Sequence, residues 1–230
     1  MRVIPTLPFG ALDPKRDQIV FASDHHIRHD NIRGYSGRPF LTVQEMDEAI
    51  LAKHNAVCDD DTIVFFLGDA AFPSKHSSQR DYQVLQNFLN SFKGRIFYLA
   101  GNHEDAMRYM NLNWTVLPQL TEITVLDDSA EKGRRNIVMC HYALRTWNKA
   151  HYGSWHLYGH SHGGLKNDFG NMMQDYEFTL SMDVGIDCNN YSPFTYEQVK
   201  DHMSKKTFRA VDHHAHESKM DFSSRKTRSH

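Results

Sequence analysis

The chain has 230 residues, 40% of them hydrophobic, and 26 Lys and Arg against 28 Asp and Glu give a formal net charge of −2. That length suits one domain with a full core. No apolar run reaches the ~18–20 residues of a membrane span, the start Met1-Arg2-Val3-Ile4-Pro5 lacks the apolar core of a signal peptide, and three widely spaced cysteines give neither a disulfide framework nor a zinc finger, so a cytoplasmic protein is expected.

In chain order, Ile19-Val20-Phe21-Ala22 reads as a short buried strand that runs into Ser23-Asp24-His25-His26. Thr42-Val43-Gln44-Glu45 is a capping-box pattern ahead of a helix with Met46, Ala49, Ile50, Lys53 and Val57 on one face. Thr62 to Leu67 is a β-branched and aromatic run suited to a central strand, and it leads into Gly68-Asp69. Ser78 starts a second helix with Tyr82, Leu85, Phe88, Leu89 and Phe92 on its apolar stripe. Ile96 to Ala100 is a third strand, followed by Gly101-Asn102-His103-Glu104. From 114 to 142 the pattern changes to short strands, Val116-Leu117, Ile123 to Leu126 and Ile137 to Met139, with a polar hairpin turn over Asp127 to Arg135. Cys140-His141 and Gly159-His160-Ser161-His162 follow, and Thr195-Tyr196-Glu197-Gln198 caps a last helix running to about Met203. Strand–helix alternation followed by mostly strands predicts an α/β fold with two mixed sheets face to face and helices outside. Residues 1–210 form the expected domain. The last stretch, 211–230, is polar without apolar period and is expected to be a flexible tail; from His202 onward seven Lys and Arg stand against three Asp and Glu.

Each of the five signatures supplies Asp, Asn or His, and four of them follow strand-like runs. Residues two apart on an extended chain point the same way, so Asp24 and His26 can grip one ion while His25 points elsewhere, and His160 and His162 repeat that spacing. A carboxylate such as Asp69 can bridge two ions. Two carboxylates, the Asn102 amide and four imidazoles, with His141 among them, suffice for a two-metal site with positions open for water and substrate. His103 sits beside a ligand without matching the ligand pattern, which suits an imidazole that stabilises a phosphoryl group or protonates a leaving oxygen. His54, His151, His156 and His202 read as ordinary hydrogen-bonded or exposed histidines.

The ordered set D-x-H, G-D, G-N-H-[DE], H and G-H-x-H resembles the calcineurin-like metallophosphoesterase superfamily over residues 20 to 162, with a further strand near 180. The resemblance implies a four-layer α-β-β-α sandwich. It implies one metal held by Asp24, His26, Asp69 and His162, a second by Asp69, Asn102, His141 and His160, hydroxide between them as nucleophile, and Asp69 and His103 as the catalytic residues. None of these eight positions is missing, as it would be in a non-catalytic interaction module on the same fold. The phosphatase branch extends the second motif to G-D-x-x-D-R-G, whereas this chain has Phe72 and Pro73 where that branch has Asp and Arg. A bidentate, phosphate-clamping Arg is not replaced by either. The stretch from Asp24 to Ile32 with Arg38-Pro39-Phe40 resembles a small bacterial and phage branch of predicted phosphoesterases.

The reading is a phosphoesterase dependent on two divalent metal ions, Mn foremost, with Fe, Zn, Ni or Co also compatible with the donors. Small-nucleotide or cyclic-nucleotide phosphodiesters are favoured over phosphomonoesters, and a nuclease is the alternative. Arg28, His29, Asn31 and Arg38 are the candidate substrate contacts because they follow the first motif directly.

Overall fold

Short apolar strands buried on both faces form the centre of the molecule, and their alternation divides two cores. The structure, a computed structural model, describes residues 10–130, 132–165 and 179–208; the expected tail and its histidines lie outside the described residues. In the first sheet β1 (Ile19–Ala22), β2 (Ile63–Phe66), β3 (Arg95–Tyr98) and β4 (Thr115–Val116) run parallel in the order β4-β3-β2-β1, and the short β9 (Phe194–Thr195) closes it antiparallel to β1. In the second, the hairpin β5 (Leu120–Leu126) and β6 (Arg134–Cys140) is antiparallel, and β7 (Trp155–Tyr158) and β8 (Ser181–Asp183) extend it in parallel. The fold is therefore α/β with two mixed sheets, and the strand expected near 180 is β8.

Side chains alternate along each strand of the first sheet. Val20, Ala22, Val64, Phe66, Ile96 and Tyr98 join a core with residues of α2 (Val43–Val57) and α3 (Gln79–Leu89). Phe21, Phe65, Phe97 and Leu99 join a second core with Ile123, Val125, Ile137, Met139 and Leu157 of the other sheet. The α4 helix (Tyr196–Ser204) adds Tyr196, Val199 and Met203 to that second core. Helices thus cover the outer face of the first sheet. Against the outward-facing His156 of the second sheet lies the 142–154 segment instead: Leu144 donates its backbone N–H to His156 Nε2, and Trp147 packs on the His156 ring at 5.2 Å.

The helix starts follow the sequence signals with one shift. Thr195 and Gln198 form a full capping box, as do Ser78 and Asp81. At α2 the Thr42 hydroxyl accepts from Glu45 N, but the Glu45 carboxylate accepts from Leu41 N rather than from Thr42. Among the described residues no helix is long and apolar enough to cross a membrane.

Candidate metal centre

The parallel strands β1, β2, β3, β6, β7 and β8 all deliver their carboxyl ends to one place, where α/β sheets commonly bind ligands. The ends of β1 and β8 meet in a bridge between Ser23 and Gly185, and the turn after β1 meets that after β2 between Ile27 and Ala71. The Ser23 hydroxyl, wholly buried, donates to Leu67 O at 3.0 Å and ties the first two motifs together.

Two groups of donors result. Asp24, His26 and His162 present ligand atoms within 4.8 Å of one another, and so do Asp69, His141 and His160. Asp69 stands between them: its Oδ2 is 3.6 Å from His26 Nε2 and 3.6 Å from His141 Nε2. Its other oxygen is occupied, accepting the backbone N–H of Asn102 and of His103 at 2.9 Å each. One oxygen of Asp69 thus faces both groups while the other is held.

Hydrogen bonds aim the imidazoles. His141 Nδ1 lies 2.8 Å from Leu67 O, and a carbonyl can only accept, so Nδ1 carries the proton and Nε2 presents a lone pair. That lone pair faces Asn102 Oδ1, a second acceptor, at 2.9 Å. Burial lowers the His141 pKa, opposed by the Asp69 carboxylate and the Leu67 carbonyl. His162 Nδ1 lies 2.7 Å from Asp187 Oδ2, which leaves its Nε2 for the centre. His26 Nδ1 lies 3.2 Å from His29 Nδ1. His26 Nε2 and Asp24 Oδ1 are buried and have no hydrogen-bond partner. Burial, reinforced by the Asp183 and Asp69 carboxylates and opposed by His162, pushes Asp24 up to about 8. Unpartnered buried donors, facing lone pairs and clustered carboxylates are what a cation would satisfy. The residues present therefore fit two divalent ions.

Asp24 and His26 share a donor group, but an extended backbone is not the cause. Asp24 has φ 61° and His26 φ 53°, both left-handed, and Asp69, His160 and His162 share that conformation at 56°, 69° and 48°. The turns are tight enough to require Gly at their closest points: a Cβ on Gly159 would lie 2.1 Å from Ser23 Oγ, and one on Gly101 2.3 Å from Asp69 Oδ1.

His103 takes an intermediate position, with a side chain 36% exposed and Nε2 4.0 Å from Asp69 Oδ2. Its ring meets Phe72 edge-on at 4.7 Å, and Phe72 also packs on His29 at 4.5 Å. An apolar ring thus flanks both His103 and His29 on this side. His25 turns into the helical core against Phe66, Phe92 and His54.

Of the expected substrate contacts, Arg28 is partly exposed, 3.5 Å from Asp47, and lines a cleft of about 360 Å³ with Pro73, Ser74, Ser77 and Asp81. His29 borders the centre through His26 and Phe72. Asn31 is exposed at the start of α1 (Ile32–Tyr35), on a groove with Asp30, Arg33 and Tyr35. Arg38 is a correction: its side chain is wholly buried and its donors are committed to Asp187 and to the carbonyls of Asp24 and His25, so it cannot clamp a substrate.

Three carboxylates to which the sequence alone assigns no task hold the loops, Glu104 of the third motif and the unmarked Asp183 and Asp187. Glu104 Oε1 accepts the backbone N–H of Asp69 and of Gly101, and burial pushes this carboxyl up to about 7. Asp183 accepts from Ser161 Oγ, Gly163 N and Gly185 N. Asp187 orients His162, and although burial opposes it, hydrogen bonds from His162 and Arg38 keep its pKa below the usual range. Asp183 and Asp187 lie at or just past the end of a strand, the same signal that marks the other motifs.

No protein-family model matches the chain. It is 26% identical over 186 residues to the uncharacterised protein MJ1445 of Methanocaldococcus jannaschii, spanning 79% of this chain and 89% of that one. The crystal structure of AQ665, a protein of unknown function from Aquifex aeolicus, superposes with a TM-score of 0.55 at 15% identity, over 81% of this chain and all of the other. At that identity the likeness is one of fold.

Proposed function

We propose that the chain is a cytoplasmic phosphoesterase dependent on two divalent metal ions, an enzyme of the calcineurin-like metallophosphoesterase kind whose two sheets carry helices on the first sheet's outer face and the 142–154 segment on the second's. The observation that carries this reading is the placement of Asp69 Oδ2, 3.6 Å from an imidazole nitrogen of each donor group, with its partner oxygen tied to two backbone N–H groups. A bridging carboxylate between two His-rich triads is the signature of a paired site. Asp24, His26, Asp69 and His162 would hold one ion, and Asp69, Asn102, His141 and His160 the other; Mn is the first ion to test, and the same donors accept Fe, Zn, Co or Ni. Such ions supply the Lewis acidity that makes water nucleophilic at neutral pH and that offsets the charge of a phosphate.

The protein's own groups do the rest. The backbone N–H of Asp69 donates to Glu104, and the N–H groups of Asn102 and His103 keep the shared carboxylate in one orientation. His103, partly exposed beside Asp69, is placed to protonate the leaving oxygen or to hydrogen-bond the phosphoryl group. Arg28, partly exposed on its cleft with Pro73 and Ser74, is a cation that would meet the far side of a substrate. With Phe72 and Pro73 in place of a carboxylate and a phosphate-clamping Arg, small-nucleotide phosphodiesters are favoured over phosphomonoesters.

The test is a chelator-treated protein reloaded with Mn²⁺ and assayed on a panel of nucleotides, cyclic nucleotides, dinucleotides and oligonucleotides beside p-nitrophenyl mono- and diesters. Two bound equivalents and diester turnover are expected. Tight folding without metal uptake would overturn the reading in favour of an interaction module, and preferred oligonucleotide cleavage would replace the small-nucleotide substrate with nucleic acid.

A further inference from the structure

We infer that Arg38 is a positioning residue that governs loading of the Asp24/His26/His162 group and leaves the Asp69/His141/His160 group untouched. The inference rests on the metal centre proposed above. Arg38 is 149 residues from Asp187 in the chain, yet its Nε and Nη2 both meet that carboxylate at 2.8 Å. The same Asp187 Oδ2 accepts from His162 Nδ1 at 2.7 Å. The guanidinium therefore fixes the carboxylate that fixes the imidazole. On its other side Nη2 donates to Asp24 O at 2.6 Å and Nη1 to His25 O at 2.9 Å. These are the carbonyls of the turn in which Asp24 and His26 take left-handed backbones. One buried fork thus grips the turn that carries two donors of the group and, through Asp187, the third.

Among the described residues Arg38 makes no hydrogen bond to the second group. His141 is aimed by Leu67 O, and Asp69 is held by Glu104 and by the N–H groups of Asn102 and His103. The two groups share the Asp69 oxygen and touch where His160 N donates to Asp24 Oδ2 at 2.9 Å, but within the centre the Arg38–Asp187 pair bonds only to the Asp24–His26 turn and to His162. A lysine at 38 would keep the charge, but its single ammonium cannot form a bidentate pair with Asp187 and reach two carbonyls as well.

The experiment titrates Mn²⁺ into chelator-treated full-length protein by calorimetry and follows Co²⁺ by its visible absorption, for the wild type, Arg38→Lys and Asp187→Asn. The wild type should take up two equivalents. Each variant should bind one equivalent at wild-type affinity and the other about 10–100-fold more weakly, as is typical for lost outer-sphere support of a ligand. The Co²⁺ spectrum should lose the contribution of one site only, which general loosening of the fold would not produce. Circular dichroism and thermal melting confirm folding, and if Arg38→Lys fails to fold, the isosteric Asp187→Asn decides. A folded variant that keeps both affinities, or loses both equally, overturns the role of Arg38 and leaves the paired centre standing. A wild type that binds no metal overturns the centre and this inference with it.

Discussion

Gly159→Ala strikes the Asp24 side of the centre with a single methyl. Gly159 does not have a positive φ, so the added Cβ acts through space alone. It would lie 2.1 Å from Ser23 Oγ and 2.6 Å from Asp24 Oδ2, both well inside the ordinary contact range of 3.4–4 Å. Ser23 is wholly buried and its hydroxyl is engaged with Leu67 O; Asp24 Oδ2 accepts from His160 N at 2.9 Å. Neither can swing away without leaving a buried partner unpaired. Overpacking of this kind costs ~1–3 kcal/mol, and one buried hydrogen bond left unmade another ~1–3 kcal/mol. The expected loss is roughly 2–6 kcal/mol, which in a domain of this size lowers the melting temperature by about 4–24 °C. Elemental analysis should show loss of the equivalent held by Asp24. Gly101→Ala, whose Cβ would meet the shared Asp69 carboxylate at 2.3 Å, should lose both. Gly34→Ala, with nothing within 4 Å, is the silent control. Two retained equivalents and an unchanged melt in Gly159→Ala would refute the close approach of the β7 turn to Asp24.

Asp69→Asn should lose one or both metal equivalents together with activity, and two retained equivalents by elemental analysis would count against the bridge. His103→Ala should keep its metal but lose roughly 10²–10⁴-fold in turnover, with a smaller loss for nitrophenyl leaving groups; equal losses in a leaving-group series would assign His103 to the phosphoryl group instead. Asp127 links the β5–β6 hairpin to α4 through Lys200 at 2.8 Å and also accepts from Ser129. Although burial would raise it, these bonds hold its carboxyl below the usual 3.8, so its contribution is full above that value and is lost as pH falls through the lower folded value. Asp127→Asn should therefore cost about 1–3 kcal/mol near neutral pH, with the gap to the wild type closing in strong acid; urea melts showing a constant gap would contradict this.

β1, β2, β3 and β6 were legible because each is a short apolar run leading into a Gly, Asp or His motif. β7 (Trp155–Tyr158), interrupted by His156, and the two-residue β9 were not, being too mixed or too short to stand out from their flanks. Capping residues marked α3 and α4 for the same local reason. What the sequence hides is pairing between distant segments. Arg38 looks like a free cation next to the first motif, and only the fold brings it under Asp24 and against Asp187. Asp183 and Glu104 carry visible carboxylates, but their tasks are to accept backbone N–H groups of loops that no spacing rule connects to them. The cover over His156 is likewise invisible, because the 142–154 segment has no apolar period and is held by individual contacts of Leu144 and Trp147.

The left-handed donors explain why so many groups stand behind the centre. Five of the seven expected metal ligands have positive φ, a conformation that costs a non-glycine residue of order 1–3 kcal/mol. An extended D-x-H segment would send its side chains parallel and away from the strand end; a left-handed turn folds them back toward the neighbouring strand, where Asp69 waits. The conformation persists because its backbone groups are engaged: His26 N donates to Asp69 O, Asp24 N to Gly68 O, and the carbonyls of Asp24 and His25 accept from Arg38. Asp183 does the same for the turn after β7 through Ser161 and Gly163. The strain thus sits in the donor turns and the compensation in buried carboxylates and one guanidinium beneath them. Substitutions there should perturb the geometry of the donors before they perturb the strands, since the strands keep their own ladders and cores.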